Sequence, residues 1–145
     1  MTDCQIEDAR AGDRAAILGL LNRVQLPTDG LGNELPPAVV ARRDGDVIGS
    51  AVLELYEGGA LLRSVAVDPS AQGLGLGRRL TEAAIGRARE LRVPALYLLT
   101  TTAERFFPRF GFAPITRDDV PAGVRESVEF RSACPASAIV MRKTL

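Results

Sequence analysis

The sequence predicts a single mixed α/β domain over residues 1–145, with a central mixed β-sheet, an antiparallel N-terminal meander and flanking helices. Three observations carry this. Asp44-Gly45 and Glu57-Gly58-Gly59 are turn signals that divide the apolar stretch from Pro37 to Val67 into three strands with short connections. Leu61, Leu62, Val65, Ala66 and Val67 form a nearly continuous apolar run, as a strand covered on both faces requires. A helical pattern and a second apolar strand follow it, and strand–helix–strand order implies a right-handed crossover with parallel pairing.

In order, Cys4 to Ala9 reads as a short first strand with polar alternation. Ala11 to Val24 reads as an amphipathic helix, with Ile17, Leu20, Leu21 and Val24 on one stripe and Asp13 near the first turn. Leu26-Pro27-Thr28-Asp29-Gly30 breaks it, and Thr28 to Leu35 is either a lid over a substrate, with one helical turn at most, or a plain connecting loop. Pro37 to Arg42, Val47 to Tyr56 and the run ending at Val67 are the meander. Asp68-Pro69-Ser70 ends it, because proline fixes φ and cannot donate to a ladder. The crossover helix runs to about Arg92, with Leu80, Ala84, Ala88 and Leu91 at helical spacing, and Val93-Pro94 stops it. Ala95 to Thr100 is the second buried strand. A short helix opens at Thr102 to Phe107 and is ended by Gly111, strands follow at Phe112 to Ile115 and Ala138 to Met141, and Arg117 to Arg125 is loop with one helical turn.

Composition sets the class. The chain of 145 residues is 46% hydrophobic and 25% charged, and 18 basic residues balance 18 acidic ones. That balance gives no electrostatic case for nucleic acid or an anionic membrane. The apolar runs are too short to span a bilayer and no leader pattern opens the chain, so a cytoplasmic protein is expected. Cys4 and Cys134 form no C-x-x-C pair, which fits a reducing compartment. There is no histidine, which excludes Ser-His-Asp and Cys-His catalysis and argues against a zinc site.

Between the long apolar strand and the crossover helix lies Gln72-Gly73-Leu74-Gly75-Leu76-Gly77. Alternate glycines let the backbone approach a ligand, and the helix start adds unpaired N–H donors and a positive dipole end. Together these make a phosphate or pyrophosphate seat. The dinucleotide fingerprint G-x-G-x-x-G is not met, since Gly73, Gly75 and Gly77 are each two apart. Nor is the P-loop, because Arg78-Arg79 follow Gly77 where G-K-[ST] would be needed.

What fits is Q/R-x-x-G-x-G/A after a strand of the form L-x-S-V-A-V-D-P. This resembles the GNAT superfamily of N-acetyltransferases, and Gln72, Gly75 and Gly77 occupy its fixed positions. The resemblance implies acetyl-CoA as cosubstrate, with its pyrophosphate seated on Gln72, Gly73, Leu74, Gly75, Leu76 and Gly77. It also implies that the main chain of Val65, Ala66 and Val67 holds the acetyl carbonyl. A second stretch, Thr100 to Phe112, is similar to the superfamily's N-x-x-A-x-x-x-Y-x-x-x-G-F, with Ala103, Gly111 and Phe112 matching. Thr100 stands where an asparagine often contacts CoA, and Phe107 where a tyrosine often protonates the departing thiolate. The general acid is therefore not carried over. The segments at 96–112 and 124–143 further resemble arsenic-resistance-associated acetyltransferases and, more distantly, the N-acetylglutamate synthase type.

The remaining roles have two readings each. Glu54 is the first candidate for the base that deprotonates the acceptor ammonium, since burial makes a carboxylate more basic; otherwise it is a solvated strand residue. Arg63, a charge inside an apolar strand, either clamps an acceptor carboxylate or forms an internal salt bridge, with Glu54 as a possible partner. Arg131, beside Ser132 and Cys134, is placed by the resemblance on the acceptor side; Cys134 is a soft ligand for an arsenical or a buried thiol. Arg78 is better placed than Arg79 for the CoA phosphates, with solvation the alternative. The expected activity is acetyl transfer to a small amine acceptor bearing a carboxylate, by direct transfer in a ternary complex. An acetyl-CoA sensor without turnover, and a glutamate N-acetyltransferase, are the alternatives. A homodimer is the expected assembly by analogy with relatives, and no metal is expected.

Overall fold

The computed structural model describes residues 4–31, 34–128, 130–131 and 137–145. Among them, seven strands form one sheet: β1 (Gln5–Asp8), β2 (Ala38–Arg43), β3 (Asp46–Tyr56), β4 (Gly59–Val67), β5 (Ala95–Thr100), β6 (Ala113–Ile115) and β7 (Ile139–Thr144). Their order is β1-β2-β3-β4-β5-β7-β6. The expected meander is present, with β2, β3 and β4 antiparallel in turn. The crossover through α2 (Leu76–Glu90) makes β4 and β5 parallel.

Side chains alternate between the two faces of the sheet. One face packs on α2, whose Leu76, Leu80, Ala84, Ile85 and Ala88 meet Ala51 and Leu53 of β3, Leu62 of β4 and Leu96 and Leu98 of β5. The other face carries two separate apolar clusters. Ile17, Leu20 and Leu21 of α1 (Arg14–Arg23) meet Val40, Val52 and Ala66. Val124 of the one-turn α3 (Ala122–Arg125) joins Leu61, Tyr97, Leu99 and Val140. Glu54 and Arg63 lie between these two clusters, which decides their roles below.

The elements differ from the sequence expectation in four places. The first helix opens with a 3-10 turn at Ala11–Asp13, and α1 starts only at Arg14. The crossover helix stops at Glu90, two residues short of expectation. There Arg92 takes φ +60° and Val93 N–H bonds back to the Ala88 carbonyl, closing the last turn. Residues 102–106 are not helical. The helical turn is instead a 3-10 segment at Phe107–Phe110, ended by Gly111 at φ +93°. Pro108 lacks the N–H that an α-helix entering from 102 would need, and edge-to-face contacts of Phe106, Phe107, Phe110 and Phe112 set the chain path. The last strand runs on to Thr144, because Arg142, Lys143 and Thr144 stay paired with Tyr97, Leu96 and Ala95 of β5. Among the described residues no helix is long and apolar enough to cross a membrane, and no group of three or more His, Cys, Asp or Glu stands ready for a metal.

Asp13 fixes the N-terminal corner. Its carboxylate accepts a bidentate pair from Arg42, at 3.1 and 2.8 Å, and the Arg10 backbone N–H at 2.8 Å, while Arg42 Nε also reaches Glu7 at 2.6 Å. The Arg42 hydrogen bonds hold the Asp13 carboxyl below its ordinary range, and desolvation opposes them only in part. A depressed folded-state pKa contributes stability that is present above the unfolded value, about pH 4, and lost as pH falls through the folded value. Asp13→Asn removes that dependence. Its melting temperature is expected to fall less than the wild type's between about pH 5 and about pH 3, read by calorimetry. Parallel losses would show that Asp13 does not contribute to the acid limb.

Candidate active site

The parallel pairing of β4 and β5 is short. It holds at Ala60–Leu96 and Leu61–Tyr97, and beyond that pair the strands diverge. The divergence leaves a cavity of about 310 Å³. Residues 62–65 of β4 form one wall, residues 98–103 and Phe107 the second, and residues 25–27 after α1 the third.

A β-bulge shapes the β4 wall. Ser50 faces Ala66 and Val52 faces Arg63, so β4 supplies one residue more than β3 over that interval. Ser64 takes φ +57°, a left-handed conformation that costs a non-glycine residue about 1–2 kcal/mol. Its carbonyl is held by the buried Ser50 hydroxyl at 2.7 Å. A bulged residue leaves the ladder, and from Leu62 onward β4 is unpaired toward β5. This edge therefore offers backbone donors to a carbonyl lying in the gap.

The glycine turn lies at the end of the same strand. The Asp68 N–H closes the strand on the Ile48 carbonyl at 2.7 Å. Its carboxylate accepts the Ser70 hydroxyl at 2.7 Å and the Ser70 N–H at 3.0 Å, which with an ion pair to Arg23 holds it below the usual carboxylate range. Gln72 bonds the Val67 carbonyl at 3.1 Å, fixing the entry to the turn. Gly73 and Gly75 take φ +86° and +77°, and a Cβ on either would meet nothing within 4 Å. The glycines are required by backbone conformation, and they leave open space where the 15-residue α2 begins. Arg79 donates to the Cys4 carbonyl at 3.4 Å, while Arg78 is exposed and 4.0 Å from Glu82. Of the two, Arg78 is the less committed.

The second motif closes the far wall. Thr100 Oγ1 accepts the Ala103 N–H at 2.9 Å, and the Ala103 carbonyl in turn accepts the N–H groups of Phe106 and Phe107. Phe107 is buried, and its ring packs edge-to-face on Phe106 and Phe112 at 5.1 and 5.8 Å between centroids. It brings an apolar surface to the cavity and no proton.

Arg63 and Glu54 form a buried ion pair, Nη1 to Oε2 at 3.4 Å, with side chains 0% and 7% exposed. Arg63 also donates to the Asp29 carbonyl at 2.6 Å, the Pro27 carbonyl at 2.9 Å and Ser64 Oγ at 3.2 Å. Glu54 Oε1 accepts the Tyr56 hydroxyl at 2.9 Å. Removing one partner of such a pair leaves an uncompensated buried charge, at a cost of about 3–5 kcal/mol.

Of the residues expected from sequence, Arg63, Val65, Thr100, Ala103 and Phe107 come together around this cavity. Ala66 turns to the α1 cluster and Val67 toward α2. Glu54, expected at the acceptor amine, does not line the cavity; it stands behind Arg63, because its position on β3 falls between the two apolar clusters. Arg131 is exposed, its N–H bonded to the Ser127 carbonyl, and Ser132 and Cys134 lie outside the described residues. Sequence reasoning missed Ser64 and the 25–27 wall. A serine at positive φ has no sequence signal, whereas the Leu26-Pro27 break marked a loop without saying what it faces.

The acetyltransferase (GNAT) domain family matches residues 37–114, from the start of β2 to β6, including the glycine turn. An amino-acid acetyltransferase of Ralstonia nicotianae is 34% identical over 106 residues, covering 72% of this chain and 23% of that protein. One from Aeromonas salmonicida is 31% identical over 127 residues, covering 79% of this chain and 29% of that protein. The chain thus spans less than a third of the length of these curated relatives. Among solved structures, N-acetylglutamate synthase from Neisseria gonorrhoeae, complexed with coenzyme A and N-acetyl-glutamate, superposes with a TM-score of 0.82 at 24% identity, over 100% of this chain and 36% of that one. A Mycobacterium tuberculosis protein solved in complex with CoA gives 0.80 at 25% identity, over 97% and 99% of the two chains. These likenesses establish the fold.

Proposed function

Because this chain belongs to the GNAT acetyltransferase family, we propose that it acetylates the amine of a small, carboxylate-bearing acceptor, an amino acid or amino-acid-like compound, with acetyl-CoA as cosubstrate. The observation that carries the reading is the cavity between diverging β4 and β5, with the open glycine turn following at the end of the same strand, where α2 begins. The residues fit the cosubstrate. The turn presents unobstructed backbone N–H groups for the pyrophosphate, and the unpaired β4 edge by Ser64 and Val65 offers donors for a carbonyl.

Acetyl-CoA supplies an activated thioester: the amine nitrogen bonds the acetyl carbon, the carbon–sulfur bond breaks with its electron pair leaving on the CoA sulfur, and the proton lost by the amine is balanced by the one that the thiolate takes up as CoA leaves as the thiol. The β4 edge orients the carbonyl and stabilises charge on its oxygen. Phe107 and Leu98 keep the wall apolar beside Thr100 and exclude water. Among the described residues that line the cavity none is a carboxylate, thiol or imidazole, so protons pass through water and the hydroxyls of Ser64, Thr100, Thr101 and Thr102. Arg78 and Arg131 supply positive charge at the cofactor and acceptor ends in this reading. The relatives that share 31–34% identity are amino-acid acetyltransferases, which supports an α-amino-acid acceptor. The resemblance to arsenic-resistance-associated acetyltransferases adds arsenic-bearing amino-acid analogues to the acceptors proposed; a cytoplasmic setting, proposed from composition, and a homodimer, proposed by analogy with relatives, complete the reading.

The test is a thermal-shift titration with acetyl-CoA, followed by thiol release across a panel of amino acids and their arsenical analogues. The expected result is stabilisation by acetyl-CoA and release of CoA with at least one carboxylated amine. No shift at any concentration would reject the cofactor assignment. Stabilisation without turnover on any amine would instead support an acetyl-CoA sensor, the reading favoured by Phe107 standing where the family's acid usually is.

A further inference from the structure

The wall formed by residues 25–27 is joined to the end of α1 by two backbone bonds, the Gln25 N–H to the Asn22 carbonyl at 3.3 Å and the Leu26 N–H to the Leu21 carbonyl at 2.9 Å. It follows the left-handed Gln25 at the end of α1 and carries Leu26, which is 36% exposed. Past Leu26, Arg63 ties the loop to the sheet. One side chain, itself 0% exposed, reaches across the sheet face and bonds two backbone carbonyls of this loop, Pro27 at 2.9 Å and Asp29 at 2.6 Å. The third guanidinium nitrogen bonds Ser64 Oγ, on the bulge that forms the β4 wall. Glu54 and Tyr56 back the same guanidinium from β3. Gly30 completes the arrangement: a Cβ there would stand 2.8 Å from Val128 Cβ and 3.3 Å from Arg63 Nη1, so the loop is closed against both.

We propose that Arg63 is a latch for the acceptor wall: it ties residues 27–29 to the Ser64 bulge, with Glu54 as its counter-ion, and so sets the spacing between acceptor and acetyl carbonyl. Arg63 and Glu54 are positioning residues, and recognition of an acceptor carboxylate falls to other groups. The geometry follows from donor count. A planar guanidinium has five N–H donors in a fixed fork, and an ammonium on a flexible stem cannot hold two carbonyls, a hydroxyl and a carboxylate at once. A latch acts on every acceptor, whereas a clamp acts only on carboxylated ones. The inference rests on the acetyltransferase reading for its kinetic readout and on the fold alone for its exchange readout.

The experiment compares wild type, Arg63→Lys and Gly30→Ala by amide hydrogen exchange and by steady-state kinetics on amines with and without a carboxylate. The latch predicts that exchange in residues 26–31 speeds up by about tenfold in both variants while α2 stays protected. It predicts that kcat/KM falls by about tenfold or more for all acceptors alike, with acetyl-CoA Kd within about twofold of wild type. Gly30→Ala keeps the Arg63 side chain itself but sets a Cβ against Val128 and Arg63 Nη1, so it disturbs the same wall from the loop side and serves if the Arg63 variant fails to fold. Unchanged loop exchange in both variants, or loss confined to carboxylated acceptors in Arg63→Lys, would overturn the latch. Wild type that acetylates no amine would overturn the proposed activity instead, and leave the exchange result to decide on the latch.

Discussion

Gly75→Val is expected to weaken acetyl-CoA binding by about tenfold or more, the largest effect of a single substitution outside the cavity. Gly75 sits at φ +77° as the residue before α2. A side chain there meets no neighbour within 4 Å, so the obstacle is backbone strain alone, about 1–2 kcal/mol for a β-branched residue. Either the turn keeps its shape at that cost, or it relaxes and its N–H groups no longer converge on the α2 N-terminus. About 1.4 kcal/mol corresponds to tenfold in affinity. Gly75→Asn separates the two contributions, because asparagine visits the left-handed region more readily. Stability in urea is expected to fall less for Asn than for Val. Both variants lose acetyl-CoA affinity by calorimetry if the ligand approaches the bare backbone. Wild-type affinity in the Val variant would detach this turn from the cosubstrate.

Leu80→Ala is expected to cost about 2–5 kcal/mol of stability, a drop in melting temperature of roughly 10 °C for a chain of this size. Leu80 is fully buried, and its Cδ1 lies 2.7 Å from where a Cβ on Gly49 would stand. The leucine thus fills the notch that Gly49 leaves in β3, and so seats the first turns of α2, and with them the glycine turn, on the sheet. Gly49→Ala alone is expected to destabilise, whereas in the Leu80→Ala background the added methyl faces a smaller neighbour and part of the loss returns. Chemical denaturation of the four proteins measures the coupling. Additive losses would mean that the notch does not set the seating of α2.

Much of this was legible from local rules. The Asp44-Gly45 turn pairs β2 with β3, the apolar run at 61–67 is the central strand, and the glycine-rich stretch is the turn that opens α2, with positive φ at Gly73 and Gly75 and Gly77 already helical. The polar interior was legible only as a question. Arg63 in an apolar strand demanded a partner, but two readings satisfied that demand equally. Its partners include the backbone carbonyls of Pro27 and Asp29, at sequence separations of 36 and 34, and a carbonyl contact leaves no trace in side-chain identity. The same blindness hid Ser64. Residue type predicts positive φ for glycine and asparagine, and a bulge at serine is imposed by register with β3 and by the Ser50 hydroxyl.

By itself the sequence determined what depends on near neighbours: strand and helix periods, turns, the glycine path at the start of α2, and the absence of histidine. Tertiary structure decided what depends on divergence and on long-range closure. Once β4 and β5 pair at only two positions, a cavity opens between them, and the side chains beside it divide into those that line it and those that support it. That division sets Glu54 behind the cavity wall, paired with a buried arginine. The physical reason is placement between two apolar clusters, where a charge is stable only when it is paired.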